Sequence, residues 1–278
     1  MTVPYRPLPL DLSDVRYAHG PDSSPRPGVP QGRTTAWQLD ASDVYPGTTR
    51  TVWTHVPARL DPREPAAVAV FNDGWWYLDP DGEVRGGVVL DNLVAAGAVP
   101  PTIGVFVDPG VLAGPGPKHR NVEYDADDDR YATFLVEEVL ARVGREHRLT
   151  DDPARTVVVG GSSGGNAAFT AAWHRPDRFG QAVCFLSSFA QMPGGNPYPR
   201  LLAAGARRPV RWFLQAAHRD LGWNRSHDNW FAENLRVAAA LAESGQDVRL
   251  VVGDGGHSPQ HAGVLLPDAL RWAFHGCT

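Results

Sequence analysis

Runs of apolar, mostly β-branched residues alternate along the chain with segments of helical periodicity. The apolar runs that we predict to be strands span residues 35–39, 49–56, 67–71, 101–107, 156–159, 181–186, 210–215 and 248–252. The segments with helical periodicity span residues 131–146, 166–173, 229–242 and 262–274. Strands that alternate with helices in this way are typical of a mostly parallel sheet that helices cover on both faces. The pattern therefore predicts an α/β fold.

The first 33 residues differ from the rest of the chain. Prolines and glycines are frequent there and apolar periodicity is weak, which predicts an extended arm that lies on the body or stays mobile. The length of 278 residues fits one large α/β domain about as well as two small ones, and we expect residues 34–278 to form a single domain. The short connection between residues 186 and 210 leaves little room for a large lid domain.

A glycine-rich turn joins the predicted strand 156–159 to an alanine-rich helix, which is the context of a nucleophile elbow. Such a turn brings strand and helix close together, so the residues two positions either side of the serine must be small. Gly160 and Gly164 satisfy this requirement around Ser162. Glycines flank Ser163 in the same way, so the pattern alone does not decide between the two serines. We prefer Ser162, because Gly160 directly follows the strand; the Ser163 N–H would then lie in the oxyanion hole.

A serine hydroxyl needs a base, and this kind of fold orders its triad as serine, acid and histidine along the chain. His257 lies in the loop after the last predicted strand, and His261 is its nearby competitor. Asp220 lies in the loop after the strand 210–215 and would orient the base. Asp228 is the alternative acid, although it could instead cap the following helix.

The loop after the strand 67–71 would provide the second oxyanion N–H, from Gly74 or Trp75. A simple turn around Gly74 would also explain this sequence. The side chains of Trp75, Trp76 and Tyr77 are candidate substrate contacts that favour an apolar or aromatic acyl group. Exposed tryptophans in a loop can equally serve packing alone.

A long loop at residues 108–130 could rim the site, and it contains two further candidate substrate-binding residues, Arg120 and Glu123. The guanidinium of Arg120 could bind a substrate carboxylate or phenolate. It could also pair with Glu123 or Asp125 and brace the loop. The aspartates at 125 and 127–129 precede a helix and lack the spacing of a calcium loop, so we predict no metal site and no cofactor.

Composition and charge exclude several other classes of protein. A net charge of −5 at pH 7 gives no basic surface for nucleic acid. Cys184 and Cys277 are too few for a disulfide framework or a zinc knuckle. No uncharged apolar run reaches membrane-spanning length, and residues 1–12 do not have the pattern of a signal peptide. We therefore expect a cytoplasmic protein that acts on a small molecule; the oligomeric state stays open.

Several motifs from about residue 35 to the C-terminus resemble the enterochelin-esterase-like branch of the Putative esterase family, which includes esterase D and feruloyl esterases. These motifs are Arg50-Thr-Val-Trp-Thr-His-Val-Pro-Ala, Asp73-Gly-Trp-Trp-Tyr, Arg120-Asn-Val-Glu-Tyr-Asp, Gly160-Gly-Ser-Ser-Gly-Gly, Gly255-Gly-His-Ser and Leu266-Pro-Asp-Ala-Leu-Arg-Trp. The resemblance implies an α/β-hydrolase fold and assigns the nucleophile to Ser162 and the base to His257. At the acid this chain departs from the family, because Ala216-Ala-His-Arg precedes Asp220 where relatives tend to have a glycine-containing turn.

The resemblance also implies the reaction, which is hydrolysis of a carboxylic ester or lactone through an acyl-enzyme. Siderophore trilactones are among the substrates of some relatives, and aromatic esters are substrates of others. The same triad also transfers acyl groups to other acceptors, so an acyltransferase or thioesterase is the alternative enzyme. A non-catalytic ligand-binding protein of the same fold is the alternative outside catalysis. We expect an open cleft that admits bulky esters.

Overall fold

A central sheet runs through the part of the chain that the computed structural model describes, which is residues 2, 5, 7, 15–113 and 119–277. Its strands are β1 (Arg33–Leu39), β2 (Thr48–Val56), β3 (Ala67–Asn72), β4 (Thr102–Val107), β5 (Val111–Leu112), β6 (Thr156–Gly161), β7 (Gln181–Phe185), β8 (Arg211–Ala217) and β9 (Asp247–Gly253). The order across the sheet is β1-β2-β4-β3-β6-β7-β8-β9, and β5 pairs with β2. The strands from β4 to β9 in this order are parallel to one another, whereas β2 is antiparallel to both β1 and β4.

Helices connect most of these strands. They are α1 (Gly74–Leu78), α2 (Gly86–Ala95), α3 (Arg120–Tyr124), α4 (Arg130–Thr133), α5 (Ala141–Val143), α6 (Ser163–His174), α7 (Tyr198–Ala203), α8 (Trp230–Glu243) and α9 (Pro259–Ala273). A π-helical segment, Phe134–Leu140, joins α4 to α5. The predicted α/β-hydrolase fold, with a mostly parallel sheet and helices on both faces, is confirmed.

The central strands of the sheet are buried on both faces, whereas β1 and β9 are largely exposed, and β3 shows how the sequence achieves this burial. Successive side chains of a strand point to opposite faces. Val68 and Val70 therefore belong to the hydrophobic core on one face, and Ala69 and Phe71 belong to the core on the other. Because every residue of β3 is buried, this strand reads as a continuous apolar run rather than as an alternating pattern.

Helix α2 was absent from the sequence prediction, because it begins with two glycines, which disfavour helix formation. Packing explains the first of them. A Cβ atom at Gly86 would lie 2.9 Å from both the ring of Phe106 and the carbonyl oxygen of Tyr77. Close packing of α2 against the sheet therefore requires glycine, and this tertiary contact outweighs the weak local propensity.

The segment between β7 and β8 contains a short 3₁₀ turn, Phe189–Gln191, and helix α7, and it forms no large lid domain, as predicted. The described part of the predicted arm lies against the body, where Asn92 Nδ2 donates to the carbonyl oxygens of Asp22 and Ser24 at 2.9 Å each. Residues 1, 3, 4, 6 and 8–14 of that arm, and residues 114–118 of the predicted rim loop, lie outside the described residues. The division at residue 33 stays a prediction.

No helix within the described ranges combines the length and apolar character needed to cross a bilayer. The cytoplasmic location stays a prediction.

Candidate active site

Ser162 occupies the sharp turn between β6 and α6. Its backbone angles are φ 59° and ψ −129°, a conformation that residues with a side chain rarely adopt. Its N–H donates to the carbonyl oxygen of Phe185 at 2.9 Å, and its own carbonyl accepts from Gly165 N at 2.9 Å and from Asn166 N at 3.2 Å. These bonds hold the serine in a strained geometry, which costs on the order of 1–3 kcal/mol, at the carboxyl end of the strand.

The two glycines of the preferred register lie where neighbouring groups leave no room for a side chain, and the close approach of β6 and α6 accounts for the first of them. A Cβ atom at Gly160 would collide with the carbonyl group of Gly164. A Cβ atom at Gly164 would in turn lie 2.8 Å from a carboxylate oxygen of Asp73. The spacing of glycines around Ser162 thus has the steric origin that the sequence suggested.

His257 and Asp220 form a close pair. The Nδ1 atom of His257 lies 2.7 Å from Oδ1 of Asp220, whose side chain is fully buried. The same carboxylate oxygen accepts from the N–H of Leu221 at 2.7 Å, and the edge of Trp230 packs on the imidazole at 5.0 Å between ring centroids. Because a carboxylate only accepts hydrogen bonds, Nδ1 carries the proton, and in the neutral imidazole Nε2 is left as the basic nitrogen.

Ser162 and His257 line the same cavity, together with residues from α1, β7 and α9. The other lining residues are Trp76, Tyr77, Gly161, Phe185, Leu186, Pro259 and Ala262. The cavity has a volume of about 30 Å³ and is thus narrower than the open cleft expected from the sequence. The reason is that three aromatic side chains fill the space beside the serine, although no lid domain covers it.

Ser163, the alternative nucleophile, points into a buried polar cluster. Its hydroxyl donates to Asp125 Oδ2 at 3.0 Å and lies 3.2 Å from Ser188 Oγ and 3.3 Å from Asn121 Nδ2. The residue is 2% exposed. The geometry therefore favours Ser162 of the two serines, because Ser162 and His257 line the same cavity.

His261, the alternative base, is buried within α9 and does not line that cavity. Its Nδ1 atom lies 2.9 Å from Gln215 Nε2, and its ring stacks on Tyr17 with 4.0 Å between ring centroids. Burial lowers the pKa of His261 from 6.5 to about 4, although the nearby charge of Asp254 opposes this shift. Its contacts are those of a structural histidine.

Asp228, the alternative acid, is exposed and lies 4.0 Å from His227 rather than beside His257. The predicted capping role belongs to the next residue, since Asn229 Oδ1 accepts from the N–H of Ala232 at 2.9 Å at the start of α8. Asp220 is therefore the acid that the structure brings to His257.

The predicted oxyanion loop forms the first turn of α1, whose N–H groups have no helical partners. The preceding residue, Asp73, has a left-handed backbone with φ 57°. The N–H of Trp75 donates to Asp108 Oδ1 at 3.1 Å, so of the two donors predicted in this loop, Gly74 and Trp75, the second is already paired. Burial raises the pKa of Asp108 above its ordinary value. Ser163, the donor predicted beside the nucleophile, is the first residue of α6. Its N–H likewise has no carbonyl of a preceding turn to bind.

Arg120 braces the loop, but its partner is neither of the two acids that the sequence suggested. It donates from Nε and from Nη2 to the two carboxylate oxygens of Asp73 at 2.6 and 2.7 Å. This bidentate pair leaves the guanidinium engaged and fixes the residue that precedes α1. Arg120 therefore supports the loop that precedes α1, and its bonds to Asp73 replace the predicted contact with a substrate anion.

Glu123 is not retained as a substrate-binding residue either. Its carboxylate accepts from both terminal nitrogens of Arg50 at 2.6 and 2.9 Å, and both side chains are fully buried. It also accepts from the N–H of Gly110 at 3.2 Å and lies 2.8 Å from Nδ1 of His119. A carboxylate with so many protein partners has little capacity for a substrate.

The predicted aromatic residues of α1 divide between two cavities. Trp76 is 46% exposed and Tyr77 is buried, and both line the cavity at Ser162. Trp75 is 52% exposed but lines a different cavity. Of the predicted aromatic contacts, Trp76 and Tyr77 are thus placed where an acyl group would lie.

The polar cluster around Asp125 was missed by the sequence analysis as part of the site. The available signal was indirect: Asn166 is a polar residue in the first turn of an otherwise alanine-rich helix, and a buried amide requires a partner. Among the described residues, no group of three or more His, Cys, Asp or Glu side chains stands close enough to hold a metal ion.

The sequence of this chain is similar to those of known esterases. The model of a family described as Putative esterase matches residues 44–271. An iron(III) enterobactin esterase of Dickeya dadantii (strain 3937) is 27% identical over 244 residues, which cover 82% of this chain and 52% of the relative. The chain therefore spans about half the length of this curated relative.

Solved structures show the same fold. The enterobactin esterase from Shigella flexneri, determined in the presence of enterobactin, superposes with a TM-score of 0.73 at 23% identity and covers 92% of this chain and 62% of that chain. The CE1 ferulic acid esterase from the anaerobic fungus Anaeromyces mucronatus gives a TM-score of 0.70 at 16% identity, with 92% of this chain and 96% of that chain covered. At these identities the likeness concerns the fold.

Proposed function

The chain belongs to the Putative esterase family, and from this premise we propose that it is a carboxylic ester hydrolase with Ser162 as its nucleophile. The observation that carries the proposal is the meeting of two features at one cavity. A serine held in a strained turn lines it, and so does a histidine whose Nδ1 is paired with the buried Asp220. This pairing of nucleophile, base and orienting acid is what acyl transfer to serine requires.

In the proposed reaction, Nε2 of His257 takes the hydroxyl proton as Ser162 Oγ attacks the ester carbonyl. Asp220 holds the imidazole in the required tautomer and stabilises the imidazolium that forms. The imidazolium then gives the proton to the alkoxide leaving group, so an alcohol departs and an acyl-enzyme remains. Water, deprotonated by the same histidine, attacks the acyl-enzyme, releases the carboxylic acid and restores the serine.

The oxyanion of each tetrahedral intermediate would be held by the Ser163 N–H and by a first-turn N–H of α1, from Gly74 or Trp75. For Trp75 to act as this donor, its N–H must release the carboxylate of Asp108 and bind the oxyanion instead. Because Arg120 clamps Asp73 immediately before this turn, the loop is positioned before substrate arrives.

The proposed substrate is a small-molecule ester or lactone that has an aromatic or siderophore-like part. The curated relative is an enterobactin esterase, and one solved neighbour was determined with enterobactin. The cavity of about 30 Å³ at Ser162 is small, and its aromatic walls favour an apolar acyl group. The bulk of a larger ester would therefore remain outside this cavity, where no lid domain excludes it.

Covalent labelling of the purified chain tests the proposal. A fluorophosphonate should form one adduct, and peptide mass mapping should locate it on Ser162. The Ser162→Ala variant should lose the adduct together with hydrolysis of p-nitrophenyl acetate, whereas Ser163→Ala, which keeps the Ser162 hydroxyl, should retain the adduct. No adduct on either serine would refute the proposal and favour a non-catalytic protein.

The same assay separates hydrolysis from acyl transfer. With an added alcohol or thiol acceptor, a hydrolase gives mainly the free acid, whereas an acyltransferase gives mainly the transferred ester or thioester. Active preparations should then be compared on enterobactin, methyl ferulate and simple alkyl esters. Cleavage of alkyl esters alone would remove the aromatic and siderophore-like part of the substrate proposal.

A further inference from the structure

A second cavity of about 390 Å³ lies on the other side of α1 from the cavity at Ser162. It is enclosed by the described part of the arm and by β2, α1 and α2. The lining residues are Pro25, Arg26, Val29, Gln31, Gly32, Thr34, Trp53, His55, Trp75, Leu78, Pro80, Gly87, Val88, Asp91 and Asn92. None of these residues lines the cavity at Ser162, so the two spaces are separate sites. We call this space the arm cavity.

Two indole rings form a wall of the arm cavity. The rings of Trp53 and Trp75 have centroids 5.9 Å apart and planes inclined at 44°. Trp75 is 52% exposed, whereas Trp53 is half-buried against the core. An exposed tryptophan beside a second aromatic ring offers a large apolar face that gains free energy when another flat apolar group covers it.

His55, Asp91 and Thr34 in the lining of the arm cavity already satisfy one another. His55 Nε2 lies 3.0 Å from Asp91 Oδ1, and His55 Nδ1 lies 2.9 Å from Thr34 Oγ1. The second carboxylate oxygen of Asp91 accepts from the N–H of Gly32 at 3.0 Å. Because the carboxylate binds Nε2, that nitrogen carries the proton and the threonine hydroxyl donates to Nδ1.

The single guanidinium in the lining is also paired. Nη2 of Arg26 lies 2.6 Å from a carboxylate oxygen of Asp22, and Nε donates to the carbonyl oxygen of Pro21 at 3.1 Å. An anionic ligand would have to displace these partners. The lining chemistry therefore favours a neutral ligand that binds through its flat faces.

We propose that the arm cavity binds a neutral planar aromatic group, stacked against Trp53 and Trp75 beneath the arm. A volume of about 390 Å³ is within the range of small-molecule sites and accepts a group of one or two fused rings. The proposal does not depend on the activity of Ser162. It assigns the consecutive residues Trp75 and Trp76 to different sites on opposite sides of α1.

Binding of 2-naphthol to the whole chain, followed by tryptophan fluorescence quenching and calorimetry, tests the proposal. Saturable binding with one equivalent of 2-naphthol is expected. Trp75→Ala should weaken it at least about fivefold, which corresponds to the loss of roughly one stacking contact. Trp76→Ala is the matched control, since it removes a ring of similar exposure from the neighbouring position, and it should bind as wild type does. Calorimetry measures these variants without relying on the removed fluorophore.

A further variant, an anionic probe and a modified protein identify the ligand class and the place of binding. Val29→Trp, which fills the cavity from the arm, should abolish binding in protein whose circular dichroism matches wild type. The anionic analogue 2-naphthoate should bind at least about tenfold more weakly, because its charge finds no free partner. Prior modification of Ser162 by a fluorophosphonate should leave 2-naphthol binding intact.

Several outcomes would overturn the proposal. Loss of 2-naphthol binding in Trp76→Ala or after Ser162 modification would place the ligand in the Ser162 cavity. Equal or tighter binding of 2-naphthoate would refute the neutral class. Unchanged binding in both Trp75→Ala and Val29→Trp, or no saturable binding at all, would refute the site itself.

Discussion

The hydroxyl of Ser163 donates a hydrogen bond to a carboxylate oxygen of Asp125 over 3.0 Å, directly behind the proposed nucleophile. The same carboxylate accepts from Asn121 at 2.7 Å, from Asn166 at 2.9 Å and from Ser188 at 3.1 Å, and Asp125 is 4% exposed. One buried anion thus connects α3, the first turn of α6 and the segment after β7. The N-terminus of α6, which carries a partial positive charge, is a favourable place for it.

We expect Asp125→Asn to lower kcat for p-nitrophenyl acetate about 10- to 100-fold, on the scale found for the loss of well-placed supporting groups, with a smaller change in KM. The neutral amide is a weaker acceptor for four donors, and its NH₂ group would face donors that a carboxylate oxygen had accepted from. Ser163 and the turn that carries Ser162 would then lose their fixed positions. Steady-state kinetics and thermal unfolding measure the two effects.

Asp128→Asn is the matched control for that substitution. Asp128 lies three residues further along, is 41% exposed and pairs with Arg130. It should lose less than about 0.5 kcal/mol of stability, as surface substitutions usually do, and keep its kcat. If Asp125→Asn loses stability but retains the wild-type kcat well below its unfolding temperature, then the cluster supports the fold and does not position the nucleophile.

The sequence predicted the fold well, because a parallel sheet buried on both faces leaves a strong pattern. Runs such as 67–71 and 156–159 are continuously apolar, and they appear as β3 and β6. What the pattern missed were short elements that tertiary contact stabilises. Helix α2 begins with Gly86 because Phe106 and Tyr77 lie too close for a larger residue, a relation that local sequence does not show.

Part of the candidate site could be predicted from the predicted strands. Residues that follow strand ends gather at one edge of the sheet, so Ser162, Asp220 and His257 could be proposed from their positions along the chain. Partners distant in sequence could not be found in this way. Arg120 was expected to bind an acid within its own loop, whereas it binds Asp73, which lies 47 positions earlier. Local spacing cannot reveal such contacts.

Substitution of the two candidate acids separates their roles. Asp220→Asn should lower kcat about 10³- to 10⁴-fold, because an amide at this position no longer stabilises the imidazolium or fixes its tautomer. Asp228→Asn should retain activity, since that side chain is exposed and 4.0 Å from His227. Kinetics on p-nitrophenyl acetate compare the two variants. A large loss in Asp228→Asn alone would assign the acid to Asp228 and contradict the pairing of His257 with Asp220.

The buried pair of Arg50 and Glu123 gives a prediction about stability rather than binding. Glu123→Gln should lower the free energy of unfolding by about 3–5 kcal/mol, because it leaves the Arg50 guanidinium buried without its counter-charge. Urea unfolding of this variant and of the exposed-site control Glu137→Gln measures the difference. KM of the folded fraction should stay unchanged. A raised KM with unchanged stability would restore Glu123 as a substrate contact.

The buried His261 should make the fold sensitive to acid. Its pKa is lowered from 6.5 to about 4 by burial, so between these values the unfolded chain binds a proton that the folded protein does not. The stability that neutral His261 contributes is therefore complete above about pH 6.5 and is lost as the pH falls towards about 4. At about 1.4 kcal/mol per pKa unit, the loss should be on the order of 2–3 kcal/mol.

His261→Gln removes this proton while keeping an acceptor for the amide of Gln215. Its free energy of unfolding, measured in urea at intervals from pH 7 to pH 4, should therefore fall less steeply than that of wild type, whatever its value at pH 7. His275→Gln, at an exposed position of the same chain, should keep the wild-type slope. Parallel curves for wild type and His261→Gln would show that His261 can take up the proton in the folded state, by rotating away from Tyr17 or by admitting water.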